Sequence, residues 1–485
     1  MSEIRPFAVI VLAAGGGTRM KSSLPKVLHE VSGRSLVGHV LHGCRPLDPE
    51  HLVVVIGHGR EQVAQHLQTV APDVLTTVQD QQHGTGHAVR VTLEQLAERG
   101  IEPTADSGPI LVLTGDTPLL TAGTLQHLVG NYAGSGSAVS VLTAILPDAT
   151  GYGRVVRDAA GDVTAIVEQK DADAAVLAIT EVNSGMYAFG PEVLARYLGR
   201  LSTDNAQGEE YLTDVLGHAR SDGLRVTAVP AADAAEILGV NDRVQLAQAG
   251  AILRRRINES WMRAGVTMVD PDRVLVDADV TLAPDVTLEP GVALRGATDI
   301  AGGATVGPDC TLVDTEVGSG AHVRRTEATL AVIGPDAQVG PFTYLRPGTT
   351  LAAGAKVGGF CEVKNSVIGP GSKVPHLSYV GDAEIGARSN IGAASVFVNY
   401  DGVAKHRAVV GDDVRVGSDT MIVAPVTIGD GSYTAAGSVI TEDIPPGALG
   451  IARGRQRNIE GWVEQRRAGS DAAAAARAAR EAGQG

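Results

Sequence analysis

Hydrophobic positions change their spacing twice along this chain. Up to about residue 243, short apolar runs alternate with amphipathic stretches, as in Phe7-Ala8-Val9-Ile10-Val11-Leu12, Leu52-Val53-Val54-Val55-Ile56, Ile110-Leu111-Val112-Leu113 and Ala138-Val139-Ser140-Val141-Leu142. Runs of this length separated by helical segments predict an α/β domain with a largely parallel sheet, since strands covered by helices on both faces are apolar throughout. Its ligands belong at the carboxyl ends of the strands. From Arg243 to about Ala264, the stretch Val244-Gln245-Leu246-Ala247-Gln248-Ala249 through Arg254-Arg255-Arg256-Ile257 has helical spacing, with Gly250 its one breaker, and predicts a connecting helix.

Beyond that helix the apolar period becomes six. Val280, Val286 and Val292 keep the step, as do Leu351, Val357 and Val363, then Ile385, Ile391 and Phe397, and most plainly Val410, Val416, Ile422 and Ile428. A glycine follows several of them, as in Val410-Gly411, Val416-Gly417 and Ile428-Gly429. Such hexapeptides mark a β-helix of triangular coils, in which each aliphatic residue points inward and stacks on its counterpart one coil along. The predicted division is therefore 1–243, a linker helix 244–264, a β-helix 265–469, and an Ala-rich tail 470–485 expected to be a frayed helix or disordered.

Composition narrows the chemistry. A formal net charge of −15 argues against a broad nucleic-acid-binding surface, which needs clustered cations. Any phosphate ligand must be held locally. Cys44, Cys310 and Cys361 lie far apart, which suggests neither a disulfide framework nor a thiolate zinc site and favours the cytoplasm. The opening apolar run is too short to span a membrane and reads as a buried first strand.

Immediately after that strand comes Leu12-Ala13-Ala14-Gly15-Gly16-Gly17-Thr18-Arg19-Met20, then Leu24-Pro25-Lys26. Glycines let backbone N–H groups approach a phosphate, and Arg19 and Lys26 can neutralise its charge. The run is neither a Walker loop nor a full GxGxxG fingerprint. Asp116 follows an apolar strand and could hold a metal or merely cap a helix; Val240-Asn241-Asp242 reads equally as a turn.

The run L-x-x-G-x-G-T-x-M with Pro-Lys behind it resembles the sugar-nucleotide pyrophosphorylases. Further pieces follow in order: Gln79, Gly84-Thr85, Thr114-Gly115-Asp116, Gly151-Tyr152-Gly153-Arg154, Glu168-Gln169-Lys170, Asn183-Ser184-Gly185 and Gly239-Val240-Asn241. With the hexapeptides behind them, they resemble the bifunctional N-acetylglucosamine-1-phosphate uridylyltransferases/glucosamine-1-phosphate acetyltransferases over nearly the whole chain. The resemblance implies an α/β Rossmann-like nucleotidyltransferase domain followed by a left-handed parallel β-helix, acting in UDP-N-acetylglucosamine synthesis. It also implies that Leu12, Ala13, Ala14, Gly15, Gln79, Gly84, Thr85, Thr114 and Gly115 receive UTP, that Gly153, Glu168 and Asn183 hold the sugar, and that Asp116 and Asn241 ligate Mg²⁺. Gly16 stands where relatives often carry another residue.

Within the repeats, polar groups concentrate at Arg346-Pro347-Gly348, Glu362-Val363-Lys364, His376-Leu377-Ser378-Tyr379, Asn390-Ile391-Gly392-Ala393 and Asn399-Tyr400-Asp401-Gly402. Successive coils lie about 5 Å apart, so residues one coil apart in sequence can share a site. A lone histidine is more often structural, yet an imidazole suits general-base work near neutral pH, which makes His376 a candidate. The resemblance makes His376 the base for the glucosamine amine, with Glu362 a candidate to orient it. It places Arg346, Lys364, Tyr379 and Asn390 on the sugar phosphate, and Ala393, Asn399, Tyr400, Ser418, Ala436 and Arg453 on acetyl-CoA, in a homotrimer with sites between β-helices. Ala394 departs from a commoner glycine.

The expected substrates are glucosamine 1-phosphate, acetyl-CoA, N-acetylglucosamine 1-phosphate and UTP. Two rivals remain at this level: a nucleotidyltransferase for another sugar with a β-helix appendage, and a noncatalytic scaffold that senses sugar nucleotides. The polar set at His376, Arg346 and Lys364 opposes the first, and the presence of Asp116, Asn241 and His376 together opposes the second.

Overall fold

The computed structural model describes residues 4–104, 106–159 and 161–483. The chain forms two compact units: one runs to Gly302 and takes in Val306–Asp314, the other comprises Gly303–Thr305 and the chain from Thr315 onward.

The first unit is built on one sheet of β1 (Ala8–Leu12), β2 (His51–Ile56), β3 (Leu75–Val78), β4 (Ile110–Thr114), β5 (Val139–Ile145), β6 (Arg154–Arg157), β7 (Val163–Val167), β8 (Glu181–Phe189) and β9 (Val226–Pro230). Their order is β9-β5-β8-β4-β1-β2-β3, with β6 paired to β8 and β7. The central β1 is parallel to β2 and β4, whereas β8 runs antiparallel to β4 and β5. Alternate residues of β1 and β4 enter different cores: Val9, Val11, Leu111 and Leu113 on one face, Ala8, Ile10, Ile110 and Val112 on the other. Burial on both faces is why these strands carry no polar alternation.

Helix Arg243–Arg263 starts where the Asp242 carboxylate accepts from Gln245 N. Its Arg256 donates to Leu119 O at 2.7 Å and pairs with Asp233 at 2.7 Å, and Asn258 Nδ2 donates to Pro271 O and Val274 O at 2.8 and 3.0 Å. The first coils belong to this same unit, with Thr267 opposite Thr287, Leu275 opposite Ala293 and Thr281 opposite Asp299.

The second unit is a left-handed β-helix of two- to four-residue strands in three parallel ladders. Each step of six moves the inward residue to the next ladder. Leu351, Ile368, Ile385, Val410 and Ile428 stack in one, Val357 and Val374, then Ile391 and Val416 in a second, and Phe397, Ile422 and Ile440 in the third. Every period-six residue named from the sequence is buried. Each such aliphatic side chain contributes roughly 1.5–3 kcal/mol on burial, so the ladder core rather than strand length holds the coils.

The tail, expected to be a frayed helix or disordered, is helical over Asp471–Ala482, capped by Ser470 with Ala473 fully buried. Gln484 and Gly485 lie outside the described residues.

Candidate active sites

Leu12 and Thr114 end neighbouring strands in register, and Gly115 N donates to Leu12 O at 2.9 Å while Ala13 N donates to Val55 O at 3.0 Å. The glycine run thus leaves the sheet at the carboxyl ends of its three central strands. Its three glycines are not equivalent. A Cβ on Gly15 would meet nothing within 4 Å, and one on Gly16 would make an ordinary 3.9 Å contact with His58. Gly17 has φ +56, and a Cβ there would lie 2.6 Å from the Cβ of Lys26, so only glycine lets the loop fold against the Pro25-Lys26 turn. The departure at Gly16 therefore falls where the backbone does not require glycine. Met20 anchors the loop in the core, and Arg19 is exposed beside it.

Lys26 Nζ reaches Asp116 Oδ2 at 2.5 Å and Asn241 Oδ1 at 3.1 Å, although these residues stand 90 and 215 positions away in sequence. Both charged side chains are 16 % exposed. Removing two charges from water costs more than a simple ion pair usually returns, so such a pair is weak evidence of stabilisation and better evidence of a site. Val240 N donates to Asp116 O at 2.9 Å, which fixes the Gly239–Asn241 turn against the end of β4.

Gln79 is buried after β3, its Nε2 directed at Gly84 O and His87 Nδ1, both at 3.0 Å. Gly84 caps helix Thr85–Ala97, and Thr85 Oγ1 accepts from Leu212 N at 3.2 Å. On the antiparallel side, Asn183 Nδ2 donates to Tyr187 Oη at 2.8 Å, Asn183 N to Gly153 O at 2.9 Å, and a Cβ on Gly153 would lie 3.2 Å from Glu168 Oε1. Glu168 thus lies beside Gly153, whose carbonyl holds the Asn183 backbone. Burial, then the charges of Asp171, Asp214 and Glu209, push its pKa above the ordinary carboxylate value.

Two neighbours escaped the sequence reading. Gln82 Nε2 donates to Ala14 O at 2.9 Å, and Tyr152 lies beside the Gly239 backbone and Asp116 with its phenol pKa raised, chiefly by burial. Tyr152 falls inside the Gly151–Arg154 motif and was open to inference from it. Gln82 sits in a polar run with no distinguishing spacing.

In the second unit, strand Lys373–His376 ends at His376, whose carbonyl accepts from Ser378 Oγ at 2.8 Å and Ala394 N at 3.1 Å while the residue is exposed. Glu362 and Tyr379 stand opposite each other in the neighbouring ladder, as do Lys364 and Gly381. Glu362 is bound to Arg346 at 2.8 Å, so the structure gives this carboxylate to the arginine and provides no support for its orienting His376. Asn390 lies between Lys373 and Arg415 in the histidine's ladder.

Ala393, Ser418, Ala436 and Arg453 fall on one corner, and Asn399 and Tyr400 follow Val398 at the next. Asp419 N donates to Ala393 O and Gly437 N to Ser418 O, both at 2.8 Å, so Ala393, Ser418 and Ala436 occupy equivalent turns of successive coils. Arg453 Cδ would lie 3.9 Å from a Cβ on Gly437 at the end of this row. Asn399 is buried and Tyr400 is 56 % exposed, its hydroxyl donating to Gly402 O at 2.8 Å. Ala394 has φ +58, a left-handed conformation that glycine adopts without strain and that costs alanine roughly 1–2 kcal/mol.

Among the described residues no helix is long and apolar enough to cross a membrane. A family model described as the MobA-like NTP transferase domain matches residues 9–204, and one described as the GMPPB C-terminal domain matches residues 327–430. The bifunctional protein GlmU of Streptomyces avermitilis is 59% identical over 480 residues, 99% of this chain and 98% of its own. Those of Thermobifida fusca and Corynebacterium efficiens are 57% identical over 480 residues and 56% identical over 476, covering 99% and 97% of this chain and 99% and 96% of their own. With one relative after another matched from end to end across both the nucleotidyltransferase sheet and the hexapeptide coils, the chain belongs to the bifunctional GlmU family, enzymes of UDP-N-acetylglucosamine synthesis that combine acetyltransferase and uridylyltransferase activities.

Proposed function

We propose that the cleft at the ends of β1 and β4 carries uridylyl transfer and the His376 patch carries acetyl transfer. In this reading residues 1–243 form the first catalytic region, 244–264 the linker helix, 265–469 the second, and 470–485 a tail outside both. The observation that carries it is the meeting of Lys26, Asp116 and Asn241 at one point beside the glycine loop.

Leu12 to Gly15, Gln79, Gly84, Thr85, Thr114 and Gly115 receive UTP, and Gly153, Glu168 and Asn183 the N-acetylglucosamine 1-phosphate. A phosphate oxygen of the sugar attacks the α-phosphorus of UTP. The bond from that phosphorus to the bridging oxygen breaks, and pyrophosphate leaves. Lys26 and Arg19 offset the charge of the crowded phosphates and hold them in line. Asp116 and Asn241 already direct two hard oxygens at one cation, the Lys26 ammonium, so this donor pair fits Mg²⁺, which would supply further neutralisation of phosphate charge.

For acetyl transfer, Arg346, Lys364, Tyr379 and Asn390 hold glucosamine 1-phosphate, and the row Ala393, Ser418, Ala436 and Arg453, with Asn399 and Tyr400, receives acetyl-CoA. The amine nitrogen attacks the thioester carbonyl as His376 takes its proton. The carbon–sulfur bond breaks, and CoA leaves as thiolate. The Ala393 amide donates to the carbonyl oxygen as it becomes negative. The exposed Phe342 and Phe360 rings stack with centroids 5.2 Å apart, with exposed Leu377 one coil on, where its N donates to Gly359 O, and they support association of the β-helices, in this reading as a trimer in the cytoplasm.

Thiol and pyrophosphate release, followed separately while substrates are omitted one at a time, test the reading. Asp116→Ala is expected to abolish UTP-dependent pyrophosphate release and keep thiol release, and His376→Ala the reverse. Loss of both activities in both folded variants would contradict two independent sites.

A further inference from the structure

One buried charge of the second unit has no role in the reactions as assigned above. Asp382 follows strand Tyr379–Gly381 at φ +50 and is buried. One carboxylate oxygen accepts from Asn365 Nδ2 at 2.6 Å, the other from Asn399 Nδ2 at 2.5 Å. Burial works to raise its pKa, but these two amides, with Lys364 and Lys405 facing it, outweigh burial and hold it below the ordinary carboxylate value. Lys405 meets Lys364 as a like charge and Asp382 as an opposite one.

Asp382 also closes the base of a loop. Its backbone N donates to Lys364 O at 3.0 Å and its carbonyl accepts from Ala408 N at 3.2 Å, while His406 N returns to Asn399 O at 2.8 Å. Above that base, Asp401 accepts from Val403 N at 2.8 Å and Ala404 N at 2.7 Å and meets His406 Nε2 at 2.7 Å. The loop is self-held at its tip and fastened to the coil at Asp382. The amide of Asn399 also lies 3.4 Å from Tyr379 Oη. A Cβ on Gly381 would come within 2.3 Å of that hydroxyl and 2.7 Å of the Asn399 nitrogen, so there is little slack around the group Asp382 holds.

We infer that Asp382 is a positioning residue for acetyl transfer: it fixes the Asn399 amide for acetyl-CoA. The inference rests on the proposed assignment of acetyl transfer to this face. Loss of the carboxylate frees Asn399 and weakens acetyl-CoA binding. It also removes a negative charge from beside Lys364, which the proposed function places on the sugar phosphate, so affinity for glucosamine 1-phosphate does not fall. A merely structural loosening would weaken both substrates together.

The test is steady-state kinetics of the full-length Asp382→Asn variant by thiol release, with pyrophosphate release and thermal melting measured in parallel. The expected result is a KM for acetyl-CoA raised about tenfold, a KM for glucosamine 1-phosphate unchanged or lowered, and unchanged uridylyl transfer. If this variant does not fold, Asn365→Ala, which loosens the carboxylate from its other side, is judged by the same two constants. Equal increases in both constants, or no change in either, overturn the inference. If His376→Ala retains thiol release, the assignment of the face is what fails.

Discussion

At the scale of single residues, the nucleotidyltransferase face manages charge in two ways. Lys26 and Asp116 neutralise each other in a half-dry cleft, whereas Glu168 is surrounded by Asp171, Asp214 and Glu209. With its folded pKa above the unfolded value, Glu168 contributes stability below the ordinary glutamate range, and that contribution is lost as pH rises through the folded value. Glu168→Gln is therefore expected to melt at a higher temperature than the parent at pH 8, with the gap closing toward pH 4, while its KM for N-acetylglucosamine 1-phosphate rises. Melting curves at the two pH values check this, and a gap independent of pH would count against it. That Asp116 and Asn241 belong together was legible beforehand because motif order singled them out with the glycines, and Lys26 meets both. What stayed hidden were partnerships, such as Glu362 with Arg346 in place of His376, because neighbours in a β-helix are set by ladder and not by distance along the chain.

At the scale of elements, the hexapeptide period was readable because only the inward residue of each short strand must be aliphatic. Ile422 lies fully buried between Phe397 and Ile440 in one ladder. Ile422→Ala is expected to cost about 2–5 kcal/mol, since coils held on both sides cannot collapse into the cavity. Urea unfolding followed by circular dichroism measures it; a loss under about 1 kcal/mol would mean that the coils relax freely. The α/β strands were equally visible as unbroken apolar runs. The tail was legible only as a frayed helix or disorder, because alanine alone does not say what a helix packs on; its order comes from the Ser470 cap, the buried Ala473 and the Arg480–Glu464 pair at 2.9 Å.

For the whole molecule, the proposed assignment has the two activities draw on different physics: a parallel sheet whose strand ends converge, and a repetitive coil along which a long cosubstrate can lie. Phe342, Phe360 and Leu377 are each more than half exposed, a cost in water that association removes. Light scattering is expected to give three times the mass of the chain, and a monomer with full acetyltransferase activity would rule out sites that need neighbouring β-helices.

The coils also keep count. Along one ladder, Ile385 pairs with Val410 and Val410 with Ile428, so one coil takes 25 residues where the next takes 18. The surplus is the loop fastened at Asp382, and the inward residues on either side of it stay in phase. Length at that corner is thus uncoupled from the architecture. A coil can gain or shed loop residues there as a book takes a folded insert, with every other page keeping its number, so substrate-facing loops of new length can be grafted without redesigning the core.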